Sequence, residues 1–286
     1  MKKIAALLVV AGVCLLASTL NAHVLFIRLD TYFLPAQSDV IVGLVNGSFD
    51  QSENAIARNR MLDVSVVGPA EQVVNPDTSQ WYDEDNAAML RHRTGDPGTY
   101  VIGVSTAPRR IDMEGVAFDR YLRNEGVLDV LADREENGRL GEAAAEQYAK
   151  HVKAVVQVGE GQSGSFDTVL GYPIEIVPQQ NPYTLSTGDA LTVQVLMEGV
   201  PVPEQLVFAS YDGHGGGHSH AEDGSHIEGE GHGMAVETRT DSEGLAQIPL
   251  DHEGRWFIHL IHMRETPDDP EYDYISEWAT LTFEIQ

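Results

Sequence analysis

Eleven histidines and a large excess of carboxylates are the chemically capable side chains of this 286-residue chain. Five of the histidines, His214, His218, His220, His226 and His232, fall in the stretch Asp212 to Gly233 (DGHGGGHSHAEDGSHIEGEGHG), among Asp212, Glu222, Asp223, Glu228 and Glu230. Imidazole and carboxylate together suit nickel, cobalt, zinc and copper(II), and the lack of sulfur argues against copper(I). Glycine lets the backbone wrap round an ion. The stretch is nearly free of apolar residues and cannot bury enough surface to offset its ordering entropy. It therefore reads as a disordered hairpin loop, an adaptable and poorly selective collector of metal. The bland alternative is a solvated tract that binds metal weakly and to no purpose.

A second feature is His23. If export processing leaves it at the N-terminus, its α-amine and Nδ1 can close a chelate ring on one metal ion. The amine has an unperturbed pKa of about 7.7–8.0, so a metal can displace its proton near neutral pH. A third is the apolar run Arg255 to Met263 (RWFIHLIHM). Strand alternation puts Trp256, Ile258, Leu260 and His262 on one face, and Phe257, His259, Ile261 and Met263 on the other. A hydrogen-bonded core histidine is the usual reason for such a residue. His262 lies nearer the strand end, where ligands have better access. These features predict one defined metal site from His23 and His262, with His259 in reserve, bridging two domains. His92, His151 and His252 stand alone and read as surface or structural.

Enzyme signatures are missing. There is no HExxH helix, no GxSxG elbow and no phosphate-binding glycine loop followed by Lys-Ser/Thr. The carboxylates are diffuse and no acid/base pair stands out, so the chain does not read as an enzyme.

The elements that must position these residues begin with an export signal. Lys2 and Lys3 precede the apolar run Ile4 to Ala17, and Ser18 to Ala22 is a plausible cleavage stretch, so residues 1–22 read as a signal peptide cut before His23. The run is short of the roughly 20 residues of a membrane span. Its Cys14 is the single cysteine, so the mature chain excludes disulfides, thiolate metal sites and cysteine nucleophiles together. The formal net charge is −26, and two units more negative once Lys2 and Lys3 are gone. Such a surface repels nucleic acid and anionic lipid and attracts cations. A periplasmic or secreted location follows.

Strands dominate the mature chain. His23 to Leu29, Asp39 to Val45, Met61 to Val67 and Tyr100 to Ser105 are rich in β-branched residues, and Asn46-Gly47, Gly68-Pro69 and Asp96-Pro97-Gly98 punctuate them. They predict a first β-domain over 23–160. Within it, Phe118, Tyr121, Leu122, Leu128 and Leu131 recur at helical spacing, and Arg139 to Lys150 (RLGEAAAEQYAK) suits helix by composition. A two-helix insert is therefore predicted at about 116–150, covering the first domain. A boundary falls near Gly159 to Gly164. The second domain, 170–286, holds seven short strands, which suggests an immunoglobulin-like or transthyretin-like sandwich. They are Pro173 to Val177, Ala190 to Met197, Gln205 to Tyr211, Ala235 to Thr240, Leu245 to Leu250, Arg255 to Met263 and Ala279 to Ile285. Asp241 to Gly244 reads as a tight turn between two of them. The fold class is thus mainly β, with two antiparallel β-sandwich domains.

An ordered set of segments resembles a known exported bacterial family. It comprises Phe166 to Pro182 (FDTVLGYPIEIVPQQNP), Gly188-Asp189, Gly199-Val200-Pro201, Arg239 to Gly244 (RTDSEG), Gly254-Arg255-Trp256, His262-Met263 and Ser276 to Phe283 (SEWATLTF). The start Ala22|His23, the helical insert and Tyr148-Ala149-Lys150 fit as well. The family is domain of unknown function 4198, often described as periplasmic components of cobalt or nickel uptake. The resemblance covers most of the mature chain and implies a two-domain β protein linked to divalent metal handling. The histidine-glycine stretch departs from it. The function expected is a periplasmic divalent metal-binding protein that captures nickel or cobalt, with zinc or copper as alternatives. It would serve an uptake system and meet the membrane only through a transporter partner. Two other classes stand beside this one: a β-sandwich interaction module that binds no metal, and a copper histidine-brace enzyme.

Overall fold

The protein is described by a computed structural model over residues 23–214 and 234–286. Residues 1–22, expected to form a signal peptide, and His218, His220, His226 and His232 lie outside the described residues.

A ten-stranded sheet runs through the middle of the molecule. Its order is β15 (Val236–Arg239), β14 (Leu206–Tyr211), β17 (Gly254–Glu265), β18 (Tyr274–Ile285), β10 (Ala144–Val158), β8 (Gly98–Thr106), β4 (Met61–Val67) and β5 (Val73–Val74). Two further strands, β2 (Phe33–Leu34) and β9 (Arg109–Met113), also pair with β10. One four-stranded sheet joins β1 (Val24–Arg28), β3 (Asp39–Gly47), β7 (Ala87–Arg93) and β6 (Trp81–Glu84). The other joins β11 (Ile174–Pro178), β12 (Ala190–Met197), β13 (Val200–Pro201) and β16 (Leu245–Pro249).

The mainly β fold class and its sandwiches hold, and the two small sheets cover opposite faces of the shared sheet. The alternation of β10 shows how. Val152, Ala154, Val156 and Val158 join the core beneath the β1–β3–β7–β6 sheet. Val155 enters the other core, with Ile176, Val193, Val195, Ile248, Trp256 and Phe283. Side chains two apart share a face, so one strand feeds two cores. Most ladders are antiparallel. The long ladder of β10 with β18 is parallel, and it hydrogen-bonds the two halves of the chain into one sheet.

The two-helix insert is present as α1 (Gly115–Asn124) and α2 (Leu128–Glu136). The helical reading of Arg139 to Lys150 is corrected, because residues from Ala144 onward belong to β10. Ala144 to Tyr148 pair with β9, and Glu146 to Ala154 pair with β18. Hydrogen bonds on both edges and burial of Ala144 and Ala149 outweigh an alanine-rich helix preference of a few tenths of a kcal/mol per residue. Phe118, Tyr121 and Leu122 of α1 pack on Ile261, Tyr274 and Trp278, which belong to strands of the second half.

The turn at Asp241 to Gly244 forms as expected. Asp241 Oδ1 accepts from the backbone N–H groups of Glu243 and Leu245 at 2.8 and 2.9 Å. Gly244 sits at φ +72°, where a Cβ would meet Val195 O at 2.9 Å, so only glycine fits without a shift.

Candidate functional site

His23 opens the described chain just before β1. Its Nε2 lies 2.9 Å from Glu53 Oε2, and its carbonyl accepts from Lys150 Nζ. Burial holds its imidazole below the usual histidine range, against the pull of Glu53. Lys150 Nζ also donates to Asn46 Oδ1 at 3.0 Å and lies 5.1 Å from the Trp278 ring. These partners are neutral. Burial pushes the Lys150 ammonium down to about 7, with Glu125 opposing the fall.

Beside Lys150 lies a second buried group, Glu146. Its Oε1 accepts from Tyr121 Oη at 3.0 Å and from Ser276 Oγ. Its Oε2 has no hydrogen-bond partner among the described residues. Burial pushes the Glu146 carboxyl up to about 7 and that of Glu125 up to about 8. The neighbourhood of His23 therefore holds one lysine and two glutamates whose charge burial disfavours. The burial of Lys150 and Glu146 was not legible in the sequence, because they occur in a stretch whose composition suits helix.

His262 and His259 face opposite ways on β17, as alternation requires. His262 is half-buried, and its Nδ1 lies 2.9 Å from Gln205 Oε1. It borders a cavity of about 270 Å³ whose walls include Val127, Asp129, Glu204 and Gln205. Burial lowers its pKa. His259 is buried and stacks on Phe208 at 5.2 Å and 20°. Thr280, opposite His259 in the ladder, donates to Leu25 O at 2.9 Å. His259 thus shares the face that β1 covers, and His262 lies on the other. The structure brings His23 and His262 to opposite faces of the central sheet, not together.

His214 packs against Tyr211 with ring centroids 4.8 Å apart. His252, read from sequence as surface or structural, stacks on the same tyrosine at 4.2 Å and 12°. Two imidazoles thus stand at the base of the hairpin that carries the histidine-glycine stretch. Next to them Asp212 pairs with Arg255 and with Arg28. A hydrogen bond with Asp212 is the main cause that raises the Asp50 carboxyl.

His151 was also read as solitary. It is buried, with Nδ1 3.0 Å from Ser105 Oγ and Nε2 2.8 Å from Glu277 Oε2. Ser105, His151 and Glu277 come from three neighbouring strands, and only the sheet order brings them together. Among the described residues no three histidine, cysteine, aspartate or glutamate side chains gather into a group that could hold a metal. Nor is any described helix long and apolar enough to cross a membrane.

The chain belongs to the family described as domain of unknown function DUF4198, which it matches over residues 20–264. No curated protein matches it. The D0-D1 domain of intimin aligns at 11% identity over 91% of this chain and 97% of that one, with a TM-score of 0.18. A Salmonella alpha-2-macroglobulin aligns at 11% identity over 91% of this chain, with a TM-score of 0.23. A DUF4785 family protein from Legionella pneumophila aligns at 9% identity over 80% of this chain, also with a TM-score of 0.23. This chain spans 15% of the macroglobulin and 49% of the Legionella protein. At such scores the likenesses carry no argument about function.

Proposed function

We propose that the protein is exported, cut before His23, and captures a divalent transition metal in the cell envelope for a membrane transporter. Nickel or cobalt is the first choice, and zinc or copper(II) the alternative. The observation that carries this reading is how His23 is held. A metal-ligating imidazole characteristically donates its other ring N–H to a carboxylate or carbonyl, which fixes its tautomer and orientation. Glu53 takes Nε2 in this way, and Nδ1 has no hydrogen bond from a described residue. The His23 carbonyl is occupied by Lys150. The donors that remain are Nδ1 and the main-chain nitrogen of the same residue, the pair that closes a chelate ring. This nitrogen donor set fits nickel, cobalt and copper(II). His214 and His252 at the hairpin base, and the histidines beyond His214, would serve as a second and looser collector.

The test is calorimetric titration of untagged protein that begins at His23 with nickel, cobalt, zinc and copper. The same chain with one alanine added before His23 is titrated alongside. The added residue separates the α-amine from Nδ1, so the tightest binding event should vanish. Identical isotherms for the two proteins would refute the chelate.

A further inference from the structure

The hydrogen bonds of His151 belong to a longer row. Asp63 on β4 stands opposite Ser105 on β8, and Glu277 on β18 stands opposite His262 on β17. Ser105 bonds to His151, His151 to Glu277, and His262 to Gln205 just before β14. Six polar residues thus follow one another across the central sheet. The row borders the apolar core of Val101, Val155, Ala279, Leu260 and Val207.

The directions of these bonds are fixed by chemistry. Gln205 Oε1 and the Glu277 carboxylate only accept. His262 Nδ1 must then donate, which leaves a lone pair on Nε2. His151 Nε2 must donate to Glu277 Oε2, and its Nδ1 meets the Ser105 hydroxyl. Glu277 is therefore oriented by an imidazole that is itself oriented by a serine. Its Oε1 has no hydrogen-bond partner among the described residues. His262 and Glu277 face each other across an antiparallel pair, where Cβ atoms are about 4.5–5.5 Å apart.

We propose that His262 Nε2 and Glu277 Oε1 are the two protein ligands of a divalent transition-metal ion, with water in the remaining positions. A mixed nitrogen and oxygen donor pair suits zinc, nickel or cobalt. Gln205 and His151 are the positioning residues, one behind each ligand, as metal sites require of their outer partners. The site shares no residue with the His23 chelate, so either can fail without the other.

The experiment uses the full chain with one alanine added before His23, which removes the N-terminal chelate. Crystals are soaked with cobalt(II), and anomalous diffraction locates the ion. The result expected is a cobalt peak between His262 and Glu277 that is lost in Glu277→Gln. His151→Gln should keep the peak and weaken binding by about 10–100-fold. Cobalt only at other histidines, or an unchanged peak in Glu277→Gln, overturns the proposal. If Glu277→Gln does not fold, His262→Ala at its half-buried position answers the same question, read by cobalt broadening of labelled histidine imidazoles in solution. The His151 resonances should broaden in the parent and not in the variant. Equal broadening in both sinks the site.

Discussion

Lys150 and Lys153 lie three residues apart on β10, point to opposite faces of the central sheet and are both buried. Lys153 faces the β11 side. Its Nζ lies 2.9 Å from Glu175 Oε2 and donates to Thr168 O at 2.9 Å. Glu175 in turn accepts from the N–H groups of Leu170, Gly171 and Tyr172. Charge is matched by charge there, and every bond ties the 168–172 loop to the sheet. Lys150 faces the β1 side and bonds only neutral oxygens, one of them the carbonyl of His23. A buried ion pair with further hydrogen bonds is a structural fixture. A buried ammonium without a bonded carboxylate sits near its neutral form and responds to its surroundings. The first arrangement locks the fold, and the second lies where the proposed chelate begins.

The difference can be broken at its stronger end. Glu175→Ala leaves the Lys153 ammonium buried without its counter-charge and frees three backbone donors. It should cost about 3–5 kcal/mol in urea unfolding. A loss below about 1 kcal/mol would place the Lys153 pair among weak surface-like ion pairs and remove the contrast.

A middle-sized effect appears with pH. The unfolded chain keeps the Lys150 proton up to about pH 10.5, and the folded chain releases it near 7. The unfolded state then binds more protons between pH 7 and 10.5, so this group makes stability rise over that window. Glu146 acts in the opposite sense below it. Folded, it keeps its proton up to about 7, and unfolded it releases it near 4.5, so stability falls from pH 4.5 to 7. The pair therefore contributes a minimum near pH 7. Urea unfolding from pH 4.5 to 10 should show Glu146→Gln flattening the lower limb and Lys150→Met the upper one. Curves parallel to the parent would show that the two groups do not titrate as described.

A smaller effect is expected from Lys150→Met itself at pH 7. The substitution removes an ammonium whose burial is costly and keeps most of its volume, while His23 O and Asn46 Oδ1 lose a donor. These terms oppose each other, and the net change should stay within about 1 kcal/mol. A loss as large as that of Glu175→Ala would make the two lysines equivalent.

The smallest change sharpens the comparison by making the lysines alike. Asn46→Asp supplies the carboxylate that Lys150 lacks. It also removes the amide that donates to Asn54 Oδ1 at 2.9 Å. Stability at pH 7 should change by less than about 1 kcal/mol. The rise of stability above pH 7 should shrink, because the ammonium is then favoured in the folded state. An upper limb as steep as the parent's would show that Asn46 does not set the proton affinity of Lys150.

The sequence by itself determined the strands. Met61 to Val67 and Ala190 to Met197 were placed to the residue, because β-branched runs between glycine and proline turns are local signals. It also determined that His259 and His262 face apart, which follows from the two-residue period of any strand. Tertiary structure decided what local signals could not carry. Ala144 to Lys150 has a helical composition and became a strand because β9 and β18 offered hydrogen bonds on both of its edges. The pairing of His23 with Glu53, rather than with His262, was settled by β1 covering one face of the central sheet while His262 faces the other. Ser105, His151 and Glu277 are separated by 46 and 126 residues and meet only through the strand order β8–β10–β18. Composition and period are properties of neighbours along the chain. Which strand lies beside which depends on burying apolar faces across the whole molecule, and the buried charges and the polar row inherit their partners from that order.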